Sequence, residues 1–274
     1  MDYVTSHGAR VPALGFGVFR MSDAEVEEIV PAALEVGFRH FDTAQIYDNE
    51  AALGRALHAA KVPREELFLT TKVWVNRYSP GDFANSVDES LERLGVDQVD
   101  LLLLHWPGHQ VPIAEQIEML NEMQSTGRTS FIGVSNQNRA QLRESVELSS
   151  SPILTNQVEI HPYLDQSALA DTAQRLDVML TAYFVMANGH IPNDPLMQRI
   201  GEAHGKTAAQ VALRWALQLG HIVLTKTATK ERLSENFDLF DFDLTPAEMR
   251  EIGSLARPDG RIVEPKELAP DWSL

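Results

Sequence analysis

Apolar residues recur along this chain in two alternating rhythms. Short, nearly continuous apolar runs are separated by longer stretches in which apolar positions return every three or four residues. The first rhythm is that of a strand buried on both faces, and the second that of a helix with one face inward. Residues 3–12 predict a hairpin turning at His7-Gly8, and Leu14-Gly15-Phe16-Gly17-Val18-Phe19 predicts a glycine-bearing strand. Ser22-Asp23-Ala24-Glu25 is a capping box, followed at helical spacing by Val26, Ile29, Val30 and Ala33. Pro31 falls inside that helix and is expected to bend it.

The alternation then repeats. A strand at 39–43, a helix at 50–60 and a strand at 67–73 are followed by Ser79-Pro80-Gly81-Asp82, a helix start whose buried face is Phe83, Val87, Leu91 and Leu94. The run 99–105 is almost wholly apolar. Helices at 112–126, 138–148 and 165–175 alternate with strands at 129–135, 154–160 and 177–183. The box Thr207-Ala208-Ala209-Gln210 opens a helix leading to a strand at 221–226, and Thr245-Pro246-Ala247-Glu248 opens a late one. Counted from Leu14 there are eight strands with no linker between them, which predicts an α/β chain folded as one (β/α)8 TIM barrel over residues 1–274. No Gly-x-Gly-x-x-Gly follows the first strand, so an open dinucleotide-binding sheet is disfavoured. The tail 257–274 is expected to lie over one barrel mouth.

Composition narrows the function. A net charge of -16 argues against a nucleic-acid surface, which needs cations to neutralise phosphates. The absence of cysteine removes disulfides and thiolate metal sites. No secretory signal opens the chain and no apolar stretch is long enough to span a membrane, so a cytoplasmic protein without membrane contact is expected.

Asp42, Lys72 and His105 each end an apolar run, and Tyr47 lies in the loop after Asp42. Carboxyl ends of barrel strands gather at one mouth, so the four are expected to meet there. Singly, each has an ordinary reading: a turn-capping acid, a surface lysine, a core histidine, a loop aromatic. Together, Asp42 neutralises a buried Lys72, whose ammonium otherwise costs several kcal/mol to bury. Lys72 is in turn expected to lower the phenol of Tyr47 from its free value of about 10 toward the range of efficient proton transfer. His105 can donate a hydrogen bond to a substrate oxygen that gains negative charge, as a carbonyl does on receiving hydride. Asp42, His105, Glu159 and His161 could instead form a metal-dependent hydrolase site, although Lys72 would repel the metal. A non-catalytic NADP(H)-binding or interaction protein on this fold is a third reading.

The motifs Gly15-Phe16-Gly17-Val18-Phe19-Arg20, Phe41-Asp42-Thr43-Ala44-Gln45-Ile46-Tyr47-Asp48-Asn49-Glu50, Thr71-Lys72-Val73-Trp74, Leu104-His105-Trp106-Pro107, Gly133-Val134-Ser135-Asn136, Asn156-Gln157-Val158-Glu159 and Glu235-Asn236-Phe237-Asp238 resemble the aldo-keto reductase family. The ending Ala269-Pro270-Asp271-Trp272 is most similar to bacterial 2,5-diketo-D-gluconate reductases, which also reduce methylglyoxal. The resemblance implies an NADPH-dependent reductase of small carbonyl compounds, needing no metal and expected to be a monomer. By it, Tyr47 is the proton donor, Asp42 and Lys72 tune it, and His105 orients the carbonyl. Ser135, Asn136 and Gln157 would hold the nicotinamide carboxamide, with Tyr183 stacked on its ring. Gly17, Val18, Phe184, Val185 and Met186 fall where the family lines the cofactor cleft. The segment Lys226-Thr227-Ala228-Thr229-Lys230-Glu231-Arg232 resembles the one that takes the adenosine 2′-phosphate, with Glu235 and Asn236 at the adenine. Phe19, Ile46, Trp74, His105, Trp106 and Trp272 would line the substrate opening. Three departures stand out: Val18 replaces a threonine, Phe184-Val185-Met186 replaces Ser-Pro-Leu, and Thr225-Lys226-Thr227 replaces Pro-Lys-Ser.

Overall fold

The computed structural model describes residues 2–274. Strands β1 (Tyr3–Ser6) and β2 (Ala9–Pro12) pair antiparallel around His7 and Gly8, whose φ values of 49° and 83° make the tight turn. Ala9 and Val11 of this hairpin pack with Phe68, Leu101, Leu103, Leu154 and Ile222. Most of these lie toward the amino-terminal ends of barrel strands, so the hairpin plugs the mouth opposite the candidate site.

The barrel strands are β3 (Leu14–Gly17), β4 (His40–Asp42), β5 (Phe68–Val73), β6 (Val99–Leu104), β7 (Thr129–Ser135), β8 (Ile153–Glu159), β9 (Met179–Tyr183) and β10 (Ile222–Thr225). All are parallel to their neighbours, and β10 closes the ring on β3 through Val223 opposite Leu14. Outside them lie α1 (Asp23–Val36), α2 (Glu50–Ala59), α3 (Asp82–Leu94), α4 (Ile113–Ser125), α5 (Arg139–Leu148), α6 (Ser167–Arg175), α7 (Pro195–His204), α8 (Ala208–Gln218), α9 (Lys230–Phe237) and α10 (Pro246–Gly253). The predicted TIM barrel is the fold observed.

Local chemistry explains the element starts. The boxes at Ser22/Glu25, Thr207/Gln210 and Thr245/Glu248 all form, each satisfying backbone donors that a helix start leaves open. Asn138 and Gln141 form a further one at α5. α1 runs unbroken through Pro31. Two apolar systems result: an outer layer between helices and strands, and the smaller cluster at the hairpin end. Gly133 keeps β7 close to its neighbours, since a Cβ there would sit 2.8 Å from the Thr155 carbonyl oxygen of β8.

Two helices escaped the periodicity, α7 and, after β10, α9. α7 begins at Asp194, whose carboxylate accepts from the backbone N–H groups of Leu196 and Met197, with Pro195 at the first turn. That cap and proline were legible; the crossover before β10 simply carries two helices where one was expected.

Candidate active site

The carboxyl ends of β4, β5 and β6 stand side by side and carry Asp42, Lys72 and His105. Tyr47 reaches them from a single 3-10 turn, Gln45–Tyr47, closed by the Tyr47 N–H on the Ala44 carbonyl at 3.0 Å. Gln45 clamps that turn by donating to Ser86 O and Ser90 Oγ and accepting from the Trp74 N–H at 3.0 Å. Lys72 is fully buried, and its Nζ donates to Asp42 Oδ1 at 2.5 Å, to the Thr43 carbonyl at 2.8 Å and to the Tyr47 hydroxyl at 3.4 Å. The Tyr47 and His105 rings meet edge to face, 5.5 Å between centroids. The four residues therefore come together as expected.

A second buried acid stands behind them. Glu50 accepts from Thr71 Oγ1 at 2.5 Å and from Arg93 Nε at 2.8 Å, and its charge favours the ammonium of neighbouring Lys72. The sequence motif contained Glu50, but nothing local to it showed that the chain would fold it behind the lysine.

The electrostatics differ from expectation at one point. Lys72 was expected to lower the Tyr47 phenol. Burial instead pushes the phenol well above its ordinary value, and the charge of Asp42 adds to that. The ammonium's closest bonds go to Asp42 and Thr43 rather than to the phenol. Burial pulls Lys72 down, opposed by the charge and hydrogen bond of Asp42. Burial, and then the Lys72 charge, hold His105 well below its ordinary value. Near neutrality the site therefore offers a protonated phenol and a neutral imidazole.

A polar chain extends from there along the strand ends. Gln157 of β8 donates to Asp42 Oδ2 at 2.8 Å. Ser135 Oγ, at the end of β7, donates to the Gln157 carbonyl at 2.7 Å. Asn136 follows in left-handed backbone (φ 60°), which asparagine tolerates, and donates to the His105 carbonyl. The Tyr183 hydroxyl donates to Asn136 Oδ1 at 2.7 Å. All these groups line one cavity of about 740 Å³ at the carboxyl mouth of the barrel. Phe19, Ile46, Trp74 and Trp106 form one wall, and Ile262, Val263, Pro265 and Leu268 of the tail form another.

The sequence profile of the Aldo/keto reductase family matches residues 13–257, which contain every barrel strand. The chain belongs to the aldo/keto reductase family. An aldo-keto reductase of Mycobacterium sp. (strain MCS) is 40% identical over 258 residues, covering 92% of this chain and 91% of its own. Methylglyoxal reductase DkgB of Escherichia coli O157:H7 is 38% identical over 265 residues, covering 96% and 99%. A crystal structure provisionally named 2,5-diketo-D-gluconic acid reductase B superposes with a TM-score of 0.98 at 59% identity, covering 99% of this chain and 97% of that one.

Within this aldo/keto reductase the remaining sequence candidates divide. Gly17, Phe184, Val185, Met186 and Lys226 line the cavity. Val18 does not: its side chain is fully buried in the core beneath it. Thr227, Ala228 and Thr229 lie beyond the cavity on the turn into α9, and Arg232 lies exposed in the first turn of α9 itself. Glu235 accepts from Thr207 Oγ1 at 2.7 Å, and Asn236 donates to Thr225 Oγ1 at 3.0 Å. Trp272 was expected at the substrate opening and is not part of the cavity wall; the Arg261 guanidinium stacks on its ring at 3.7 Å. The hydrolase grouping does not assemble either, because Glu159 and His161 bond to each other and Glu159 also binds the tail. Sequence reasoning missed Arg20, which lines the cavity beside Lys226 and whose carbonyl accepts from Lys226 Nζ at 3.2 Å.

Proposed function

We propose that this chain is an NADPH-dependent oxidoreductase that reduces aldehydes or ketones to alcohols, with Tyr47 as the proton donor. The observation that carries the reading is the Tyr47 hydroxyl held 3.4 Å from a fully buried Lys72 ammonium, in one cavity with a neutral His105. The cavity's donor set fits a nicotinamide nucleotide. One flank offers the amide edges of Asn136 and Gln157 beside the Tyr183 ring, and the other offers the cations of Arg20 and Lys226. Amide edges and an aromatic face suit a carboxamide ring, and the two cations suit phosphate. When bound, such a cofactor supplies the hydride.

The protein's part is positioning and proton transfer. His105, neutral, gives its remaining N–H to the carbonyl oxygen and fixes its direction. Tyr47 keeps its proton at rest because burial disfavours phenolate, and releases it as the oxygen gains charge. Lys72 stabilises the phenolate that forms. At 3.4 Å and an effective dielectric of about 20 the attraction is about 5 kcal/mol, reduced by the share that Asp42 cancels. The aromatic wall supplies apolar contact without fixing one substrate, and the relatives named for methylglyoxal and 2,5-diketo-D-gluconic acid point to small carbonyl compounds. The test is oxidation of NADPH and, separately, NADH by the purified protein with methylglyoxal, simple aldehydes and diketo-sugar acids. Carbonyl-dependent oxidation with NADPH preferred is expected, and no turnover with any carbonyl would overturn the proposal.

A further inference from the structure

Glu159 and His161 are fully buried, titratable, and unused by the chemistry above. Glu159 lies two residues beyond Gln157 on β8, so both side chains project from the same face of the strand. Gln157 reaches Asp42, whereas Glu159 reaches the tail. Its Oε1 accepts from the Ile262 N–H at 2.8 Å and from His161 Nε2 at 2.9 Å, and its Oε2 accepts from the Val263 N–H at 2.9 Å. Arg261 approaches the same carboxylate at 3.8 Å. Burial alone would push the carboxyl up, but these bonds hold it below its ordinary value, so it stays ionised.

The bonds fall in the middle of a strap fastened at both ends. On one side the Arg257 N–H donates to the Tyr163 carbonyl at 3.1 Å, and Gly260 lies so close that a Cβ would overlap that same oxygen. On the other, Asn138 Nδ2 donates to the Asp271 carbonyl at 2.8 Å and Arg139 to the Ser273 carbonyl at 2.7 Å. Between the fasteners, Ile262, Val263, Pro265 and Leu268 wall the cavity that holds Tyr47 and His105. The two tail N–H groups bound by Glu159 belong to the first two of those residues.

We propose that Glu159, braced by His161, is a positioning residue that latches the tail over the carboxyl ends of β7 and β8 and so sets the wall of the carbonyl site. The claim about carbonyl binding rests on the reductase reading. Replacing one carboxylate oxygen by an NH2 group, as in Glu159→Gln, turns a donor toward a donor while keeping the side chain's shape. The Arg261–Ile262 bond should then become accessible to trypsin, with the new amino terminus at Ile262 appearing at least about tenfold faster, distinct from any cut after the exposed Lys266, since charge-assisted bonds are lost. KM for the carbonyl should rise at least about tenfold while kcat moves less than about threefold, because the proton-transfer groups are untouched.

Gly260→Ala displaces the same strap from its neighbouring fastener without altering the barrel interior, and should reproduce both effects if Glu159→Gln does not fold. Wild-type trypsin resistance together with an unchanged KM, in whichever of the two variants folds, would overturn the latch. A wild-type protein that reduces no carbonyl would overturn the reductase reading instead, and the trypsin rates would still decide whether Glu159 holds the strap.

Discussion

Tyr47 is placed between two opposing influences, and which one prevails decides its role. Its hydroxyl has an ammonium at 3.4 Å, yet that ammonium also bonds a carboxylate at 2.5 Å and a carbonyl at 2.8 Å. Much of its field at the phenol is cancelled, and burial prevails. A phenol held protonated suits an acid that delivers its proton only as the acceptor gains charge. Tyr47→Phe should therefore lower carbonyl reduction by about 100- to 10,000-fold, the range of general acid catalysis. NADPH affinity, read from quenching of protein fluorescence, should change less than about twofold, since only one hydroxyl is removed. A variant retaining most of its turnover would remove Tyr47 from the role. A different pair reports on cofactor choice. Lys226 makes its only side-chain hydrogen bond among the described residues to the Arg20 carbonyl, and Arg232 is exposed without an ion pair among them. Both cations are thus available to a phosphate. Lys226→Ala and Arg232→Ala should each raise KM for NADPH about ten- to a hundredfold and leave NADH within about threefold, the cost of one charge-assisted phosphate contact. Equal losses with both nucleotides would contradict the assignment.

At the scale of elements, contacts set by a local cap or by the order of neighbouring barrel strands were readable, and other distant ones were not. Asp42, Lys72 and His105 break apolar runs at strand ends, and a parallel barrel brings consecutive strand ends together, so their meeting followed from pattern alone. The capping boxes at Ser22, Thr207 and Thr245 were similarly legible because a cap is a contact three residues long. The latch between Glu159 and Ile262 joins positions 103 apart, and no local pattern marks it. Nor does any local pattern mark the stacking of the Arg261 guanidinium on Trp272. The direction of the Tyr47 shift could not be read because it depends on burial, which sequence does not measure. Close helix packing is equally hidden. Gly54 in α2 lies against the end of α3, where an added Cβ would be 2.5 Å from the Leu94 carbonyl oxygen. Alanine there gains about 1 kcal/mol of helix propensity. Overpacking against backbone that cannot easily yield costs about 1–3 kcal/mol or more, so the clash prevails. Gly54→Ala should lower the urea midpoint by an amount worth about 1–2 kcal/mol at unchanged slope. A midpoint at or above wild type would show that α2 and α3 can separate freely.

Across the whole molecule, acid sensitivity should come from histidines inside the barrel more than from its negative surface. The chain carries a net charge of -16, and exposed charges more than about 10 Å apart are largely screened at moderate salt. His40 is different. It starts β4 fully within the core, with Nε2 3.2 Å from Thr70 Oγ1 and its ring edge-on to Phe68 at 5.0 Å. Burial pulls its pKa down to about 4, against an ordinary value of 6.5, and the charge of Asp42 only partly offsets this. Burial lowers His221 to about 4 as well. In both cases the unfolded chain takes up a proton near 6.5 and the folded chain does not until about 4, so the unfolded state binds more protons throughout that window. Stability is therefore complete above about pH 6.5 and declines as pH falls toward 4. A gap of two to three pKa units corresponds to about 3 kcal/mol for each histidine. In His40→Leu one of these groups is gone. The variant should be less stable than wild type at about pH 7, having lost a fitted ring, but its unfolding free energy should fall less between about pH 6.5 and 4.5. Comparing the two proteins cancels the surface charge they share, so the difference in slope isolates His40. Parallel declines in urea titrations across that window would place the acid sensitivity elsewhere.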